Sequence, residues 1–175
     1  MQLNPSSQQY LQKFQSFGWL LRFLETRDSR LRVMAWDLVT EIFDYDFLKS
    51  SPSIVQSALN TYLRHQELFS VKVSVLKFLI KLSDCLMQNC DIIGSLDESN
   101  MVEEMSIKTL LSIISKQGLI SQMHVMLTQK DTPLLFVTLS IKFLHKLVLM
   151  DHKRALPVLT QLDYWTYLVD LIQPS

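Results

Sequence analysis

Leu31-Arg32-Val33-Met34-Ala35-Trp36-Asp37-Leu38-Val39-Thr40-Glu41-Ile42 decides the fold class. Leu31, Met34, Ala35, Leu38, Val39 and Ile42 fall at i, i+3, i+4, i+7, i+8 and i+11, the spacing that gathers side chains on one face of a helix. The polar corner Thr26-Arg27-Asp28-Ser29 in front of it carries helix-capping residues, and the helix is expected to end near Tyr45. The stripe returns at an offset of 40: Leu31 falls on Val71, Ala35 on Val75, Leu38 on Phe78, Val39 on Leu79 and Ile42 on Leu82. Val71, Val73 and Val75 alternate as in a strand, but the 3.6-residue period continues, which predicts one long helix from about Phe69 to Asn89. A second echo sits at an offset of 65, where Lys77-Phe78-Leu79-Ile80-Lys81-Leu82 recurs as Lys142-Phe143-Leu144-His145-Lys146-Leu147. Self-similarity with a period near 40 is the mark of a helical repeat array.

The composition agrees. Apolar residues make up 48% of the 175 and charged residues 19%, which supports a large core and excludes a disordered chain. Three glycines are too few for a sheet protein's turns or a phosphate-cradling loop. Seventeen basic and seventeen acidic residues cancel, so the chain lacks the positive field that nucleic acids or anionic membranes require. Lys77, Lys81, Lys142 and Lys146 interrupt the apolar runs before a membrane span could form. Cys85 and Cys90 sit five apart on one predicted helix and point about 140° from each other, which suits small core residues in a reducing, intracellular compartment.

Further helices are expected from Pro5 to about Ser16, through Trp19–Leu24, from Ser51-Pro52 to Leu63, from Met101 to Lys116, from Leu119 to Gln129 and from Thr132-Pro133 to Met150. A short turn before Pro157 and a terminal helix bearing Tyr164, Trp165, Leu168 and Leu171 complete the chain. Residues 91–100 read as an acidic inter-helix loop, because Asp84 through Glu104 contains six acidic residues and no basic one.

Leu20-Leu21-Arg22-Phe23-Leu24-Glu25, the corner at Thr26–Ser29 and the Ala35-containing helix together resemble an armadillo unit, and Asp131-Thr132-Pro133 resembles the corner of a second copy. The glycine between first and second helices of such units is matched by Gly18 and Gly118, with no counterpart in the middle unit. The resemblance to the armadillo/HEAT families implies one all-α domain over residues 1–175, a right-handed α-solenoid of about three irregular repeats cut from a longer array. Arg27-Asp28-Ser29-Arg30-Leu31-Arg32-Val33-Met34-Ala35-Trp36 is most similar to the rotatin family, large armadillo-repeat proteins of centrioles and ciliary basal bodies. That likeness implies a cytoplasmic, centrosomal or basal-body scaffold whose partners are other centriolar proteins, with no enzymatic activity. A HEAT-type adaptor of another intracellular complex, or a helical enzyme domain with an unrecognised site, are the alternatives.

No catalytic motif, cofactor box or metal spacing is evident, so no cofactor is expected. His65, His124, His145 and His152 are scattered over different helices and read as surface or boundary residues. Arg22, Arg27, Arg30 and Arg32 read as a solvated corner, or as a contact for an acidic partner segment. The candidate protein-binding positions come from superposing the repeats. Asp37, Lys77 and Lys142 fall at one equivalent position and Glu41, Lys81 and Lys146 at the next, both off the apolar stripe. Stacking would align them as a two-column ladder, acidic first and basic after. The ends of a cut array, around Tyr10, Phe14 and Phe17 and around Trp165 and Leu168, would retain apolar groups able to drive self-association.

Overall fold

The computed structural model describes residues 18–88, 118–150 and 152–161. Every element among them is a helix: α1 (Gly18–Leu24), α2 (Ser29–Ile42), α3 (Tyr45–Ser50), α4 (Ser53–Leu63), α5 (Phe69–Gln88), α6 (Leu119–Leu127), α7 (Leu134–Met150) and α8 (His152–Gln161). The helices expected before Gly18 and over Met101–Lys116, the acidic loop at 91–100, Cys90 and the terminal stretch with Tyr164 and Trp165 lie outside the described residues. The fold is all-α. The chain divides into two compact units, Met1–Cys85 and Leu86–Ser175.

Side-chain caps start α2 and α3. The Asp28 carboxylate accepts from the amides of Arg30 (2.8 Å) and Leu31 (3.3 Å), satisfying donors at the start of α2 that have no partner within the helix. Asp44 does the same for α3, accepting from the Phe47 amide at 2.7 Å. The sequence pattern runs one helix to about Tyr45, whereas the structure ends α2 at Ile42, turns at Phe43 in extended backbone and begins the short α3. Asp44 is the physical reason, because a side chain that caps a new helix competes with continuing the old one.

The core of this unit is the side of α2 and α5 on which Trp36, Val39, Val71, Phe78 and Leu82 are fully buried. The Phe78 ring lies 5.4 Å from Trp36 and meets Phe43 edge-on at 5.0 Å, the arrangement that aromatic quadrupoles favour. The two helices run in the same direction. Arg32 on α2 reaches Glu67 just before α5, Asp37 meets Lys77 further along, and Asp44 past the end of α2 acts on Cys85 near the end of α5. Contacts therefore advance together along both helices, with Asp37 and Lys77 separated by 40 residues, the offset at which the two stripes superpose.

In the second unit Gly118 precedes α6 with φ 69°, a left-handed conformation open to glycine at little cost. Leu119, Met123, Phe136, Phe143 and Leu147 form its buried core. α7 packs against α8. α8 runs through Pro157, so the turn expected before that proline does not fall within residues 152–161, and Asp151 lies outside the described residues. Both Pro157 and Lys153, whose carbonyl loses its helical donor, are exposed, so water can serve the orphaned acceptor.

Deleting the wedge between Trp36 and Phe43 tests this core. Phe78→Ala should lower unfolding stability by roughly 3–5 kcal/mol, the usual cost of emptying a buried aromatic site. Lys77→Ala, its neighbour on the solvated face, should change it by less than about 1 kcal/mol. Urea unfolding followed by tryptophan fluorescence measures both.

Candidate functional site

The ladder positions lie on the solvated sides of their helices. Lys77 donates to Asp37 at 3.3 Å, with both side chains a little under half exposed. Glu41 and Lys81, one turn further along α2 and α5, are exposed, and among the described residues neither makes an ion pair. Within the first unit the two acidic residues of α2 stand beside the two lysines of α5, so each column runs from acid to base, and the first is joined by the Asp37–Lys77 pair. Lys142 is exposed and Lys146 half-buried on α7 of the second unit.

The remaining candidates separate by burial. Arg22, Arg27 and Arg30 are exposed, as a solvated corner requires, but Arg32 is not one of them. Its guanidinium donates to the Thr26 carbonyl through Nη1 and to Glu67 through Nη2, the latter at 2.7 Å. His65 and His145 are exposed and His124 is half-buried. Cys85 is buried, which pushes its thiol above the usual range; Asp44 adds to the shift and Lys81 opposes it. Among the described residues no group of three or more His, Cys, Asp or Glu side chains could hold a metal ion. Nor is any helix among them long and apolar enough to cross a membrane.

Sequence reasoning missed a buried charge cluster at the corner before α5. The Glu67 side chain is 3% exposed and accepts from Arg32 and, at 3.0 Å, from the Leu68 amide. There its charge also complements the positive end of the α5 dipole. Lys72, 2% exposed, donates from Nζ to the Tyr62 carbonyl at 2.6 Å and lies 5.3 Å over the Tyr62 ring. Burial holds the Lys72 ammonium below the ordinary lysine range, and the Glu67 carboxylate partly offsets this. These groups tie the α1–α2 corner, through Thr26 and Arg32, to the end of α4 and the start of α5. The one signal in the sequence is a lysine inside the run Val71-Lys72-Val73-Ser74-Val75, where a solvated face would not be interrupted so briefly. Arg32 Nη1 and Nη2, the Glu67 carboxylate and Lys72 Nζ are all engaged within the fold, with the buried Arg32 Nε left without a hydrogen-bond partner among the described residues, and the cluster reads as structural.

No protein-family model, no curated protein and no solved structure matches this chain.

Two measurements probe the cluster. Glu67→Ala leaves Arg32 and Lys72 buried without their carboxylate and should cost roughly 3–5 kcal/mol in urea unfolding. For Lys72, the folded state binds its proton less tightly than the unfolded chain. The penalty is fully present below the lowered folded pKa and disappears as pH rises towards the ordinary 10.5. The stability difference of Lys72→Met over wild type should therefore shrink between neutral pH and the onset of lysine titration. A constant or growing difference would show that the amine is not strained by burial.

Proposed function

We propose that this chain is a non-enzymatic protein–protein interaction scaffold built as a right-handed stack of about three armadillo/HEAT-like repeats. The observation that carries the reading is that α2 and α5 run parallel in a register of about 40 residues, with Asp37 against Lys77 and Trp36 against Phe78. In a stacked array each repeat covers only its neighbours, and equivalent helices lie side by side in one direction. On this reading α1–α2, α4–α5 and α6–α7 are the cores of successive repeats, and Asp37, Glu41, Lys77, Lys81, Lys142 and Lys146 hold equivalent positions off their apolar stripes. The likeness of residues 27–36 to the rotatin family adds the specific role: a structural part in centriole or basal-body assembly and cilium formation, with centriolar proteins as partners.

The outer face suits a partner segment whose charges oppose the two columns. Asp37 and Lys77 partly neutralise each other, so Glu41, Lys81 and Lys142 carry more of the recognition than the paired rung. Proximity labelling in ciliated cells should recover centrosomal proteins above a mock bait. Simultaneous charge reversal of Lys77, Lys81, Lys142 and Lys146 should then abolish pull-down of the recovered partner while leaving helical content unchanged. Full recovery by a folded variant would remove this face as the binding surface.

A further inference from the structure

The face of α2 turned away from α5 is apolar and open. On α5, Val71, Ser74 and Phe78 lie within about 60° of one another around the helix axis, and all three are buried: 0%, 1% and 0% exposed. Phe78 is covered by Trp36 and Phe43, so this is the face that α2 and its C-terminal cap close over. The positions equivalent to them on α2 are Leu31, Met34 and Leu38. Leu31 is 41% exposed, Met34 is 67% exposed and Leu38 is half-buried. The same three positions are thus sealed on one helix and open on the other.

The register also states what charges an occupant must bring. In the α2–α5 junction, Arg32 meets Glu67 and Asp37 meets Lys77. Moving that junction back by one offset of 40 puts the position of Arg32 in the occupant opposite Arg27, and the position of Asp37 opposite Asp37. Arg27 is exposed and has no ion-pair partner among the described residues, and the Asp37 carboxylate is still 44% exposed. A second copy of α2 would oppose arginine to arginine and aspartate to aspartate. That excludes a second copy of this chain as the favoured occupant.

We propose that the Leu31–Met34–Leu38 face of α2 docks an amphipathic helix of a partner protein, parallel to α2. That helix carries an apolar stripe flanked by an acidic residue five positions before a basic one. The acid meets Arg27 and the base meets Asp37, which then lies between two cations. The proposal rests on the stacked-repeat part of the function proposed above and names the chemistry of one partner.

The probe is a stapled, fluorescein-labelled peptide copying Ser29–Ile42 with Arg32→Glu and Asp37→Lys; the unaltered copy is the control, and helicity of both is checked by circular dichroism. Fluorescence anisotropy against the whole 175-residue chain should show the charge-reversed peptide binding about tenfold more tightly than the control, the scale of two surface pairs changed from like to unlike charge. Met34→Asp in the protein should abolish the binding, and Arg27→Glu should shift the preference towards the control peptide. Equal binding of the two peptides, tighter binding of the control, no binding, or indifference to Met34→Asp each overturns the proposal. Such a failure beside successful partner labelling removes only this face, whereas peptide binding with no labelled partner leaves the face intact and removes the scaffold role.

Discussion

The Phe78 ring between Trp36 and Phe43 is the contact on which the first unit depends. Phe78 is fully buried, and its two aromatic neighbours come from α2 and from the residue that ends it. A wedge of this kind has one good seat along a helix, so it sets how far α5 slides against α2. The polar contacts at either side follow from that setting. With Phe78 seated, Lys77 is placed at Asp37, and the start of α5 is placed where Glu67 can take the Arg32 guanidinium. Apolar packing supplies most of the free energy, while the buried charges penalise any other register by leaving a cation unpaired.

Much of the architecture was legible because periodicity is a local property. The stripes over Leu31–Ile42 and Val71–Leu82 predict helices that the structure has, and their offset of 40 equals the spacing of the Asp37–Lys77 pair. The polar corner at Thr26–Ser29 was readable because capping chemistry is written in adjacent residues, here Asp28 and the amides it accepts from. Exposure of Glu41, Lys77, Lys81 and Lys142 was readable in the same way, from helical phase alone.

What escaped was non-local or depended on competition. Arg32 looks like its neighbours Arg27 and Arg30, and only its partner 35 residues away separates it from them. Lys72 reads as an interruption in a valine run, since nothing local says that the Tyr62 carbonyl waits for its ammonium. The break between α2 and α3 turns on whether Asp44 caps a new helix or rides on the old one, and the stripe is silent on that choice. The pairing of Asp37 with Lys77 changes the meaning of the ladder itself, because one rung binds inwardly along the surface before any partner arrives.

Cys85 gives the first unit an internal clock. Its thiol is buried near the C-terminal end of the α2–α5 contact, and burial together with Asp44 keeps it protonated and therefore a poor nucleophile. An alkylating reagent meets it as thiolate only in those moments when the end of α5 parts from α2. In a chain with Cys90 replaced by serine, the rate of modification then counts these openings, and its dependence on reagent concentration separates how often the seam opens from how long it stays open. The motion of α5 against α2 thus becomes a quantity that can be timed chemically.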